Sequence, residues 1–266
     1  MWRGSMLCLL LAGAVHASPA LPENPFPHIA GSYLVKQDGV LLWAESADRR
    51  MPPASLAKLM TALLVLENGD LERSVVVSRA AAAETGSRIG LRAGERLVAD
   101  DLLAAMLIAS ANDACHALAS DLAGSEAEFV TRMNARAGAL GLRNTKFANA
   151  CGHDAAGQYS TAADLAVIAE QDLAYPRFVE LVAMQSARIA ADGSRRFELK
   201  TSNALLGRYP GVSGVKTGFT PAAGKCLVAL AERNGRRVLL VLLDAPDRWW
   251  SASDVLDRAF SAADAR

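Results

Sequence analysis

Three features of the 266-residue chain predict an α+β fold. β-rich runs open it, β-rich runs close it, and apolar residues recur at helical spacing between them. Strands at both chain ends that must bury their apolar faces do so by joining one antiparallel sheet, with the intervening helices packed on it. The hydrophobic share of 52% and charged share of 21% are ordinary for a globular chain long enough for one large domain or two small ones.

The elements follow in order. Gly31 to Glu45 reads as a hairpin: Ser32-Tyr33-Leu34-Val35 and Val40-Leu41-Leu42-Trp43 flank the turn signal Gln37-Asp38-Gly39. Pro52-Pro53 precedes Ser55 to Glu67, where apolar residues at 56, 59, 60, 63, 64 and 66 predict a helix ended by Asn68-Gly69. Residues 80–94, rich in Ala and Gly, yield no clear period. Helices are predicted over Leu102 to Ile108, capped by Asp100-Asp101, over Asp113 to Leu122 and over Ser125 to Leu140. Another runs to Gln171 from an N-cap at Ser160 or Thr161. Gly214 to Gly218, Cys226 to Arg233 and Arg237 to Asp244 are strand-like, the last two joined by the two-residue turn Asn234-Gly235. A helix over Ser251 to Ala262 closes the chain. With the hairpin, these make a five-stranded sheet.

Composition narrows the function. Lysines and arginines number 28, as do aspartates and glutamates, so no basic excess points to nucleic acid. Arg3 and the apolar run Met6 to Val15 read as a signal peptide, too short to span a bilayer, with cleavage expected after Ala17. Residues 1–17 are then the signal, 18–30 a Pro-rich leader and 31–266 the folded domain. No later segment is long and apolar enough for a membrane helix. Export leaves Cys115, Cys151 and Cys226, an odd number in a compartment that permits disulfides, so at least one thiol is unpaired within the chain. Their spacing fits no zinc pattern and no His-Glu-x-x-His occurs, so neither metal nor cofactor is expected.

Three short segments carry chemistry. In Ser55-Leu56-Ala57-Lys58, residues i and i+3 of a helix share a face, so the lysine can reach the hydroxyl. Serine needs such a base, and a desolvated lysine can be one in its neutral form. Ser110-Ala111-Asn112, between two helices, sets a hydroxyl able to relay a proton beside a carboxamide able to bond a carbonyl. Lys216-Thr217-Gly218, on a predicted strand, offers a cation and a hydroxyl to a carboxylate, and the glycine lets a ligand lie along the strand edge. Each alone is common; the set in this order resembles the serine acyl-transfer motifs of penicillin-binding proteins and class A β-lactamases.

The likeness extends beyond the motifs. Pro53 to Ala62, Ser110-Ala111-Asn112-Asp113-Ala114, Leu140 to Phe147, Tyr159 to Leu165 and Gly214 to Thr220 all resemble the low-molecular-mass penicillin-binding proteins. The chain is thus similar to the serine D-alanyl-D-alanine carboxypeptidases over about residues 30–262. That resemblance implies the β-lactamase/DD-peptidase-like fold and a set of roles. Ser55 attacks the D-Ala-D-Ala carbonyl, Lys58 takes its proton, and Ser110, assisted by Lys216, protonates the leaving amine. Asn112 holds the acyl part, and Thr217 and Lys216 bind the terminal carboxylate, with Arg248 as a looser match. The backbone N–H groups of Ser55 and Phe219, which follows Gly218, form the oxyanion hole. The implied partners are peptidoglycan stem peptides and β-lactam antibiotics, and the implied location is the periplasm.

The family often continues into a second β-rich domain and an amphipathic anchor. This chain stops after the catalytic domain, so no transmembrane anchor is expected. Cys151 stands where relatives often carry another residue, and Cys115, which follows the Ser110 loop, can pair with it in a disulfide beside the site. Several other readings compete. Gly211-Val212-Ser213-Gly214 only begins like a nucleophile elbow, and His153-Asp154 reads as a loop pair. A β-lactamase would need a deacylating carboxylate, for which Glu170 is the nearest candidate. An endopeptidase cutting D-Ala cross-links is the closest alternative, and a catalytically silent penicillin sensor the most distant.

Overall fold

The computed structural model describes residues 24–193 and 195–264. The expected signal peptide lies outside these residues, as does the first part of the leader. Residues 24–30 lie against the first hairpin: the Phe26 ring meets Trp43 edge-on at 5.8 Å, and the His28 N–H donates to Glu45.

Strands β1 (Ser32–Gln37) and β2 (Val40–Glu45) form that hairpin. At the other end come β7 (Val212–Thr220), β8 (Gly224–Arg233) and β9 (Arg236–Leu243). They assemble in the order β2-β1-β9-β8-β7, every neighbouring pair antiparallel. Strand β9 explains how the ends meet. Its apolar run Val238 to Leu243 is buried on both faces. Val238, Leu240 and Leu242 point one way and Leu239, Val241 and Leu243 the other, as the two-residue period of a strand requires. Such a strand has to lie mid-sheet.

The first face packs against α8 (Arg248–Asp264) through Val255, Leu256 and Ala259. The second carries the helical cluster. It comprises α1 (Lys58–Asn68), α2 (Arg79–Ala82), α3 (Ala99–Ile108), α4 (Asn112–Ala123), α5 (Glu126–Ala139), α6 (Ala162–Asp172) and α7 (Pro176–Ala183). Two small sheets flank it: β3 (Ser74–Val76) with β4 (Arg96–Val98), and β5 (Ser186–Ala190) with β6 (Arg196–Lys200). Among the described residues no helix is long and apolar enough to cross a membrane.

Local signals behave as expected at several points. Ser125 and Thr161 cap α5 and α6 by accepting the backbone N–H three residues on. Asn234 and Gly235 both take positive φ in the β8–β9 turn. Two expectations are corrected. The acidic pair Asp100-Asp101 does not cap α3; the helix starts at Ala99, and the pair occupies its first turn, where negative charge favours the helix dipole. The segment Ser55 to Lys58 is not the first turn of an α-helix. Residues Ala54–Ala57 form a 3₁₀ turn, and α1 starts at Lys58.

Candidate active site

The nucleophile turn is set by its neighbours. After Pro53, Ala54 takes the left-handed conformation, φ 49°, and the 3₁₀ turn follows. Its tighter winding brings side chains three residues apart closer to eclipsed than an α-helix does, which suits a Ser-x-x-Lys pair. A built Cβ on Gly152 would lie 1.9 Å from the Ala54 carbonyl oxygen, so only glycine lets that loop lie against the turn. On the other side a Cβ on Gly218 would lie 3.0 Å from Ala54 Cβ and 3.2 Å from the Ser55 nitrogen, so strand β7 also runs close beside it.

Lys58 is fully buried. Its Nζ lies 3.0 Å from Ser55 Oγ, 2.7 Å from Asn112 Oδ1 and 2.6 Å from the Cys151 carbonyl oxygen. Asn112 Nδ2 donates to the Thr85 carbonyl at 2.6 Å, which fixes the carboxamide with its oxygen toward the lysine. The amine of Lys58 is held well below the usual lysine range. Burial is the main cause and the neighbouring Lys216 charge adds to it, against an opposing pull from Glu84. A neutral amine has two N–H groups and one lone pair. Asn112 Oδ1 and the Cys151 carbonyl can only accept, so they take both N–H groups and leave the lone pair facing the Ser55 hydroxyl.

Ser110 sits between α3 and α4 with φ 59°, and its Oγ accepts from Lys216 Nζ at 2.8 Å. Lys216 also donates to the Thr217 carbonyl at 3.0 Å. Its amine is pushed down to about 7, by burial first and then by the charge of Arg248. Thr217 Oγ1 lies 2.6 Å from Ser202 Oγ. Phe219 is exposed. Arg248 donates from Nη1 to the carbonyls of Gly218 at 2.7 Å and Cys226 at 3.1 Å, so it ties α8 to the strand that carries the Lys-Thr-Gly run.

Ser55, Lys58 and Asn112 thus form one hydrogen-bonded group and Ser110, Lys216 and Thr217 a second; the two adjoin, since the Lys216 charge acts on Lys58 and Gly218 lies against Ser55, with Arg248 behind Gly218. The sequence reading sets Asn112 against the substrate, yet both ends of its carboxamide are engaged within the protein, beneath Lys58. Three participants went unseen: Ser202, Glu84 and the Cys151 carbonyl. A backbone carbonyl has no side-chain signature, and an isolated Ser or Glu in a loop has no period to mark it. Cys115 and Cys151 form a disulfide, Cα atoms 5.9 Å apart, and Cys226 is a buried thiol whose burial pushes it up to about 11. Glu170 is ion-paired with Lys36 at 2.7 Å, on a cleft away from this network. His116 and His153 both bond Glu84, at 2.7 and 2.8 Å, and among the described residues neither is hydrogen-bonded to a serine. Among the described residues no group of His, Cys, Asp or Glu is placed to hold a metal ion.

Comparison with known proteins gives the family. The sequence profile of the Peptidase S11 family, described as D-alanyl-D-alanine carboxypeptidase, matches residues 21–247. The D-alanyl-D-alanine carboxypeptidase DacF of Bacillus subtilis is 38% identical over 97% of this chain and 69% of its own length. DacB2 of Mycobacterium tuberculosis is 33% identical over 92% of this chain and 85% of its own. Among solved structures, the Streptomyces K15 DD-transpeptidase superposes with a TM-score of 0.82 at 29% identity, covering 92% of this chain and 100% of that one. The chain belongs to the Peptidase S11 family of serine D-alanyl-D-alanine carboxypeptidases.

Proposed function

We propose that the protein removes the terminal D-alanine from peptidoglycan pentapeptide stems through an acyl-enzyme on Ser55. One observation carries this reading: Lys58 is buried, with two pure acceptors fixing its N–H groups and its remaining valence turned to Ser55 Oγ. In acylation the Ser55 oxygen attacks the carbonyl of the penultimate D-alanine while its proton passes to Lys58 Nζ. The carbonyl oxygen gains negative charge and is met by the backbone N–H groups of Ser55 and Phe219; losing one such donor typically costs about 2.7–4 kcal/mol of transition-state stabilisation. The C–N bond then breaks. Ser110 gives its proton to the departing amine and is resupplied from Lys216, its donor at 2.8 Å. Thr217, Lys216 and Arg248 form the positive end of the site that favours a carboxylate. Water hydrolyses the ester, its OH going to the carbonyl carbon and its H to the Ser55 oxygen, and the proton held on Lys58 leaves to solvent while Lys216 regains one from it. A β-lactam acylates the same oxygen, since its strained amide and carboxylate present the same groups.

The substrate is part of the cell wall, and with a signal peptide expected over residues 1–17 the reading puts the enzyme in the periplasm. An acceptor amine in place of water would give transpeptidation, the activity in the printed name of the Streptomyces K15 protein. Cleavage of cross-links would make the protein an endopeptidase. Incubation with a pentapeptide stem and, separately, with a cross-linked dimer separates these. Free D-alanine from the pentapeptide supports carboxypeptidase action; cleavage of the dimer alone overturns it.

A further inference from the structure

The two acceptors that set Lys58 come from segments far apart in the chain, α4 and the loop after α5. They are fastened to each other beside the lysine. Cys151, whose carbonyl accepts from Lys58 at 2.6 Å, bonds through sulfur to Cys115. Cys115 lies on α4 three residues after Asn112, almost one helical turn from the other acceptor. The path from Lys58 through Cys151, the disulfide, one turn of α4 and Asn112 back to Lys58 is a closed ring. A second fastening joins the same segments. The Glu84 carboxylate takes His116, next to Cys115, on one oxygen and His153, two residues after Cys151, on the other. The chain just beyond Glu84 also holds Asn112, through the carbonyls of Thr85 and Ser87.

We propose that the Cys115–Cys151 disulfide is a positioning element of the reaction: it holds the two carbonyl acceptors that aim the buried Lys58 amine at Ser55 and keep water from it. This rests on the reading of Lys58 as the base. Reduction by a dithiol adds two electrons and two protons across the S–S bond, giving two thiols while the reductant closes to its own disulfide. Two unbonded sulfurs cannot stay at bonding distance, so the Cys151 loop and α4 move apart. The acceptors slacken, water reaches Nζ, and the ammonium form gains solvation it lacks in the closed ring. The acid limb of the acylation rate, which reports loss of the neutral amine, then moves to higher pH.

The charged groups around the ring set the comparison. Lys216 on β7 opposes the Lys58 charge and Glu84 favours it. Glu126 on α5 lies 3.9 Å from His116 and accepts from the Ala150 N–H. Asp113 on α4 is turned to the N–H groups of residues 89–91. Reduction alters none of these side chains chemically, so a shift between the forms reports the opening of the disulfide ring.

The test uses wild-type protein in its disulfide and dithiol forms, told apart by an intact mass differing by two hydrogens. The rate of acylation by a fluorescent penicillin is followed from about pH 5 to 10, with circular dichroism checking the fold. The acid limb of the dithiol form is expected about one pH unit higher, so acylation is about tenfold slower on that limb with the same plateau. The double variant Cys115→Ala/Cys151→Ala reads the same quantity if the dithiol form does not refold. Identical limbs, or an equal fall at every pH, overturn the proposal. A Lys58→Arg variant that kept the parent limb would instead overturn the reading of Lys58 as base.

Discussion

Substituting Gly152 by alanine tests how the nucleophile is placed. Gly152 has φ 88°, where an alanine costs about 1–2 kcal/mol in backbone strain. The larger effect is steric. The added carbon would stand 1.9 Å from the Ala54 carbonyl oxygen, 2.4 Å from its carbon and 2.9 Å from the Ser55 nitrogen. Even a close C–H···O contact needs about 3.3 Å, so loop and turn must separate by roughly 1.4 Å. A displacement of about 1 Å at reacting groups can cost about 10²-fold in rate. Gly152→Ala should therefore lower acylation by a fluorescent penicillin about 100-fold or more while the protein stays folded. Gly157 in the same loop is the control. Its φ is 77° and nothing lies within 4 Å of a built Cβ. Gly157→Ala should lose about 1–2 kcal/mol of stability and keep its acylation rate. Should Gly152→Ala acylate within about threefold of the parent, the close contact between this loop and Ser55 does not matter for the chemistry.

Other outcomes follow from the same network. Lys216 is pushed down to about 7, so it is charged below that pH and neutral above it. The kcat/KM for a pentapeptide should fall along an alkaline limb near pH 7, and Lys216→Arg should move that limb up, because an arginine stays charged. Ser202→Ala removes the hydroxyl 2.6 Å from Thr217 Oγ1 and should raise KM for a carboxylate-ended substrate more than it lowers kcat. Asp172 is fully buried, both its carboxylate oxygens lack a partner, and burial first and then Glu67 raise it well above the usual carboxylate range. Below the unfolded titration, about pH 3.9, both states are protonated; above it only the unfolded chain ionises, and stability falls as pH rises toward the folded titration. Asp172→Asn should thus raise stability at pH 7 and change it much less at pH 3, read by denaturant unfolding at both.

Much of this architecture is legible in sequence because its signals are local. The Gln37-Asp38-Gly39 and Asn234-Gly235 turns fix two hairpins, and caps at Ser125 and Thr161 fix two helix starts. Strands β3 and β4 are three residues long, too short for a period. The helix α7 escapes notice although Pro176 stands at its first turn, since it spans only eight residues. At the site, Ser55, Lys58, Ser110 and Lys216 are side-chain chemistry at fixed spacing and can be read. What holds Lys58 cannot: one acceptor is a backbone carbonyl, and the other, Asn112, is legible as a residue but not in the direction its amide points. Those are consequences of tertiary packing. The 3₁₀ turn at Ala54–Ala57 is of the same kind, since the left-handed Ala54 that starts it packs closely against Gly152 and Gly218, which are distant in sequence.

The central claim is that Ser55 is the acylated nucleophile with Lys58 as its base. Peptide mapping by tandem mass spectrometry after brief exposure to penicillin tests it directly, with Ser55→Ala alongside. The account predicts one added penicilloyl group, on Ser55, and neither adduct nor D-alanine release from the variant. An adduct on Ser110 or Ser202, or undiminished labelling of Ser55→Ala, would contradict it.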